Sequence, residues 1–161
     1  MRPAIRPLVA TDREPFLAFV RALSDEARLH RFLQPLRELS PEAAAALTQA
    51  DQLRHVALVA VEGARIVGEA RYVVQDDGTS AEFAIAVADD WQRHGVGARL
   101  LGALFGAARG ARLRSLKGEV LRTNIAMLRF VRRAGFRLRP CAGDARLVVA
   151  ERELERVALA A

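Results

Sequence analysis

Three apolar runs joined by two tight turns constrain this chain more than any other feature. HVALVAV (55–61), ARIVGEARYVV (64–74) and SAEFAIAV (80–87) are separated by Glu62-Gly63 and by the segment holding Asp77-Gly78. Runs of this composition read as strands. Asp-Gly between them is a strong hairpin signal, because glycine takes positive φ without steric cost. With Asp77 and Gly78 as the two loop residues, Asp76 pairs with Thr79, Tyr72 with Phe83 and Ala70 with Ile85. Side chains alternate across a strand. Tyr72, Phe83, Ala70 and Ile85 then share one apolar face. Glu82 opposite Val73, Ala84 opposite Arg71 and Ala86 opposite Glu69 share the other. One face is core. The other sets a carboxylate beside two alanines that leave space, as the edge of a catalytic cleft does.

The flanking sequence predicts a layered α/β domain. AIRPLV (4–9) reads as a short strand. Thr11 and Asp12 cap a helix running to about Leu23, Ser24 opens a second to about Leu33, and Ser40-Pro41 opens a third that ends near Gln49. After the three strands, Gly95 to about Gly110 is an apolar-faced helix, LKGEVL (116–121) a strand, and Asn124 to Ala134 a helix closed by Gly135. FRLRP (136–140) and ARLVVA (145–150) read as two last strands, and 151–161 as a helical tail. The expected fold is one α/β domain over 1–161, a mixed and mostly antiparallel sheet of about seven strands with helices on both faces.

Composition removes several function classes. No apolar run approaches the roughly 18 residues of a membrane span, and MRPAIRPLVA has no apolar stretch of a signal peptide, so a cytoplasmic location is expected and a membrane partner is not. The single Cys141 excludes an internal disulfide. His30, His55 and His94 show no ligand spacing, so no metal is expected. The net charge of +6 is uneven: residues 1–90 hold 10 basic against 14 acidic side chains, residues 91–146 hold 13 against 2. That late segment suits a polyanion, either nucleic acid or a multiply phosphorylated cofactor, or is a solvated arginine surface.

Between the third strand and the apolar helix lies QRHGVGA, residues 92–98. Glycines at 95 and 97 let backbone N–H groups turn inward, and the helix N-terminus behind them adds partial positive charge, which together suit a diphosphate. Arg93 and Arg99 add ionic contacts. The loop is neither G-x-G-x-x-G, since position 100 is Leu, nor a Walker A loop.

The loop Gln92, Arg93, His94, Gly95, Val96, Gly97, Ala98 after a strand ending in Val87, and the pair formed by Asn124 and Gly135-Phe136 in TNIAMLRFVRRAGF, resemble the two signatures of the GNAT acetyltransferases. RPLVATDREPFLAFVRALSDEARLHRFLQPLRELSPE, with HVALVAV, AEFAIAV and NIAMLRF, resembles the catalytic domain of Pat-type protein lysine acetyltransferases over about residues 3–150. The resemblance implies a GNAT sheet splayed in its middle and acetyl-CoA as co-substrate. The diphosphate would lie on 92–98, the pantetheine arm along Ile85, Ala86 and Val87, and Asn124 would reach the arm. The implied partner is an amine acceptor, a protein lysine, with a small amine or a catalytically silent CoA sensor as alternatives; a homodimer is common in the family and nucleic acid is not expected. Glu82 is the candidate general base and Glu69 its rival. Glu82 can also be read as pairing diagonally with Arg71. The family's usual tyrosine acid, seven residues after the Asn, is replaced by Val131, and Tyr72 is assigned to the core.

Overall fold

A computed structural model describes residues 2–155. Its elements are β1 (Ala4–Pro7), α1 (Arg13–Ala22), α2 (Asp25–Phe32), α3 (Pro41–Thr48), β2 (His55–Glu62), β3 (Arg65–Val74), β4 (Ser80–Val87), α4 (Val96–Gly110), β5 (Ser115–Leu121), α5 (Ile125–Arg133), β6 (Arg137–Pro140) and β7 (Leu147–Glu153), with single turns of 3-10 helix at Ala10–Asp12 and Asp89–Trp91. They build one seven-stranded sheet in the order β1-β2-β3-β4-β5-β7-β6. All neighbours are antiparallel except β4 and β5.

The hairpin register is the expected one. Tyr72 faces Phe83, Ala70 faces Ile85 and Glu69 faces Ala86, and the β3–β4 ladder runs without a slip from Val74–Ala81 to Gly68–Val87. The turn itself differs. Gly78 N–H donates to Gln75 O at 2.9 Å, which puts Asp76 and Asp77 at its centre and Gly78 after them at φ +68°. Asp77 then accepts from the backbone of Thr79 and Ser80 and from Ser80 Oγ. The loop is thus four residues, Asp76 to Thr79, and Asp76 does not pair with Thr79. Two and four residues close on the same pairs, so the register survives.

Helices cover both faces. α4 packs on the Tyr72–Phe83 face, close to β3 because Gly68 has no side chain: a methyl there would lie 2.9 Å from Leu100 Cδ1. Phe105 of that helix stacks on Phe136, which in turn meets Phe83 at a tilt. α1 packs on β3 and α2 on β4, on the face of Glu69, Arg71 and Glu82. Ser24 and Ser40 cap α2 and α3 as expected, each Oγ accepting an N–H at 3.1 Å. Asp12 does not cap α1 with its side chain; its carboxylate takes both ends of the Arg6 guanidinium, at 2.7 and 2.8 Å, and the Val9 N–H. The expected helical tail is corrected over 151–153, which belong to β7 because they complete the ladder from Ser115 to Lys117; its residues 156–161 lie outside the described ones.

Candidate active site

β4 and β5 run together only at their starts. Their parallel ladder covers Ser80–Ser115, Ala81–Leu116 and Glu82–Lys117 and stops there, although β4 continues to Val87 and β5 to Leu121. The strands part where Phe83 meets Gly118. A methyl on Gly118 would lie 2.8 Å from Phe83 Cε1 and 2.9 Å from the Phe83 carbonyl oxygen, so glycine is what lets β5 pass. Sequence reading missed Gly118; the signal available was a glycine inside a strand, which marks close backbone approach.

The open edge of β4 has a defined chemistry. Gln75 N–H donates to Ser80 O and Ala88 N–H to Val67 O, both at 2.8 Å. In an antiparallel ladder these bonds alternate. Even-numbered residues of β4 thus spend their backbone on β3, Phe83 N–H closes the last pair with β5, and the backbone groups of Ile85 and Val87 point into the gap that β5 leaves beyond it. Ala86 presents no backbone group there. The Val87 carbonyl accepts from Gln92 Nε2 at 3.3 Å, while its N–H stays on the open edge.

That edge runs into the 92–98 loop. Arg93 (φ +63°) and Gly95 (φ +80°) bend it, and Gly95 is the N-cap of α4. The first intrahelical bond is Arg99 N–H to Gly95 O at 3.2 Å, so the amides of Val96, Gly97 and Ala98 have no partner within the helix. His94 Nδ1 donates to Gln92 O at 2.8 Å and its ring meets Trp91 edge-on at 5.9 Å. Arg99 is corrected: its Nη1 donates to Pro3 O at 2.8 Å, so it serves the N-terminal segment. Gly97, Val87 and Phe130 converge; a methyl on Gly97 would touch Phe130 Cζ at 3.6 Å and Val87 Cγ2 at 3.7 Å. Asn124 caps α5, Oδ1 accepting from Met127 N–H at 3.1 Å, which leaves its NH₂ as a donor. No hydroxyl comes from α5: Val131 is fully buried and Phe130 packs on the loop, while Tyr72 is in the core.

Glu82 stands at the fork, exposed, on the face covered by α2. The diagonal pair with Arg71 does not form. Arg71 is committed to Glu69, with Nε 2.7 Å and Nη2 2.6 Å from Oε2, and its Nη1 reaches Leu47 O at 2.8 Å and His55 Nε2 at 3.0 Å. The Nη2 approach is off the hydrogen-bond direction and acts as an ion contact. The other Glu69 oxygen takes Arg31 Nε at 2.5 Å. Burial pushes the Glu69 carboxyl up, but the charges and hydrogen bonds of Arg31 and Arg71 outweigh it and hold it at about 2. Burial, followed by the charge of Arg71, lowers His55, which accepts from Arg71 as a neutral ring. Glu69 is a permanent, fully paired anion with no capacity to take a proton near neutrality. Among the described residues no cluster of His, Cys, Asp and Glu is arranged to hold a metal.

Sequence and structure comparisons find relatives of this chain. A model of the acetyltransferase (GNAT) family matches residues 18–136. The chain is 32% identical over 134 residues to Acetyltransferase Pat of Mycolicibacterium smegmatis, covering 81% of this chain and 40% of that protein. It is 35% identical over 127 residues to Acetyltransferase PA5475 of Pseudomonas aeruginosa, covering 76% and 68%. The crystal structure of the GNAT domain of S. lividans PAT superposes with a TM-score of 0.87 at 28% identity, covering 93% of this chain and 89% of that one. The match thus spans less than half the length of the Mycolicibacterium relative.

Proposed function

The chain belongs to the acetyltransferase (GNAT) family, and from that membership we propose that it moves acetyl from acetyl-CoA to a primary amine, the side chain of a protein lysine. The observation that carries this is the fork: a β4 edge with free backbone groups, unpartnered helix amides at one end and the Glu82 carboxylate at the other. Acetyl-CoA fits these groups. Ile85 and Val87 offer backbone partners to an amide-bearing arm, and Val96, Gly97 and Ala98 offer N–H donors to a diphosphate. Arg93 and His94 flank those donors, and the Asn124 NH₂ lies at the head of α5. The lysine acceptor rests on the likeness to Pat-type domains. A cytoplasmic location fits a chain in which no described helix is long and apolar enough to cross a membrane.

Free lysine keeps its proton up to a pKa of about 10.4, and only the neutral amine attacks. Glu82 takes that proton, directly or through one water. A free backbone N–H of the β4 edge donates where negative charge develops on the acyl oxygen. Attack is direct, because the Cys141 Sγ donates only to Glu119 Oε1 and Ala142 O and has no histidine partner among the described residues. With valine at position 131, water or a backbone N–H supplies the proton to the departing thiolate.

Calorimetric titration with acetyl-CoA, followed by mass spectrometry of a lysate incubated with protein and acetyl-CoA, tests the proposal. Binding with new acetyl-lysine marks is the expected result. Binding without protein marks moves the acceptor to a small amine or leaves a CoA sensor. No binding removes the acetyl-CoA assignment altogether.

A further inference from the structure

α2 packs on β4 on the face that carries Glu82, so it stands beside the approach to that exposed carboxylate. The helix is held there in an unusual way. Its sequence, DEARLHRF, has Arg28 as its one buried residue, and only Ala27 and Phe32 lean on the apolar core. Arg28 ties α2 to its flanks, donating to the carbonyls of Leu23, Arg21 and Leu36. Among the described residues, Arg31 makes the one side-chain hydrogen bond from α2 to the sheet. It reaches past β4, where Ala86 leaves room, to Glu69 on β3; the two side chains are 9% and 1% exposed. The same carboxylate holds Arg71, whose Nη1 grips the last turn of α3 at Leu47. One buried anion therefore fixes α2 and α3 to the sheet.

We propose that Arg31, clamped by Glu69, is a positioning residue that sets the height of α2 above β4 and so the width of the acceptor channel leading to Glu82. This rests on the acetyltransferase reading given above. The clamp crosses β4 at Ala86, on the face of Glu82, whereas the free backbone groups of β4 lie in the plane of the sheet and the helix amides belong to α4, so loss of Arg31 is expected to leave acetyl-CoA binding unchanged. Loss of Arg31 leaves Glu69 Oε1 without its hydrogen-bond partner and lowers stability, but Glu69 keeps Arg71 as counter-ion, so the buried charge is not left unpaired.

Arg31→Met retains length and apolar packing, and Arg31→Lys retains charge without the planar fork. Three quantities are measured for each variant: acetyl-CoA affinity by calorimetry, acetyl-CoA hydrolysis with water as acceptor, and transfer to a blocked lysine tripeptide. For Arg31→Met the expected result is unchanged affinity and hydrolysis, with kcat/KM for the peptide falling about tenfold or more, the size of a misplaced reactant, and partial recovery in Arg31→Lys. Wild-type-like peptide kinetics in both variants overturns the proposal, as does a loss of acetyl-CoA affinity parallel to the loss of transfer. A wild-type protein that binds acetyl-CoA and acetylates no peptide or lysate protein contradicts the lysine reading instead, and that outcome is distinct. If Arg31→Met does not fold, the Arg31→Lys kinetics decide alone.

Discussion

Glu69 and Glu82 lie on the same face of the same sheet, on adjacent strands, and their surroundings differ. Two guanidiniums hold Glu69 ionised at about 2 in full burial, while Glu82 is exposed at a fork with free backbone around it. Such divergence between neighbouring carboxyls is how one site separates a fixed charge from a reacting group. Glu82→Gln is expected to lower turnover by about 100-fold or more at neutral pH, the range of a lost general base, with acetyl-CoA affinity unchanged by calorimetry; normal turnover moves the base elsewhere. Glu69→Gln is a stability variant, since it leaves Arg71 buried beside a neutral group, at a cost of about 3 kcal/mol. The sign of its pH dependence follows from the depressed folded value. Glu69 stabilises the fold above its ordinary 4.5, and that contribution is lost as pH falls from there toward 2. Urea denaturation of wild type is expected to weaken steeply across that window, and Glu69→Gln to show a shallower dependence. Glu82 was legible from the period-two alternation of one hairpin. The commitment of Glu69 was not, because its second cation, Arg31, lies 38 residues away on a helix whose docking no local pattern encodes.

Among the elements, β4 and β5 do most to create the site, and they do it by ceasing to pair. The β3–β4 ladder is unbroken, so the gap arises on the β5 side, at Gly118 beneath the Phe83 ring. Gly118→Ala sets a methyl against the Phe83 carbonyl, which is backbone and cannot swing away. The expected effects are a loss of about 1–3 kcal/mol by overpacking, read as a lower Tm, and weaker acetyl-CoA binding as the fork shifts. Unaltered stability would show that the strands have slack at this point. Elements made from local contacts were legible, including the caps at Ser24 and Ser40 and the hairpin, whose register survived a misread turn because both loop lengths are even. The order β5-β7-β6 was not, since it depends on a long-range return of β7 between its two neighbours. The strand character of 151–153 was hidden by the charged sequence ERE, which suits the end of a half-exposed strand as well as a helix.

Across the whole molecule, charge divides along the same line as chemistry. Residues 1–90, with 10 basic and 14 acidic side chains, supply α1, α2, α3 and the strands up to β4, the side from which a cationic lysine would come. Residues 91–146, with 13 basic and 2 acidic, supply the 92–98 loop, α4, β5, α5 and β6. Several of these arginines are engaged locally: Arg99 with Pro3, Arg122 with Ala145 and Arg146 with Asp144. Arg93, Arg129, Arg132 and Arg133 are exposed and make no ion pair among the described residues, and they supply a field outside the loop. A field of this kind concentrates an anionic ligand before contact and is screened within about 10 Å at moderate salt. Acetyl-CoA affinity is therefore expected to fall about tenfold between roughly 50 mM and 500 mM salt. Dephospho-CoA, one phosphate poorer, should fall less steeply, and acetyl-pantetheine, with no phosphate, should not respond. Calorimetry of the three ligands over a salt series measures this. Equal slopes would mean that the arginine-rich half is a solvated surface and that the helix amides alone hold the phosphates; graded slopes would tie the charge asymmetry, visible in the sequence before any fold was known, to the cofactor side of the sheet.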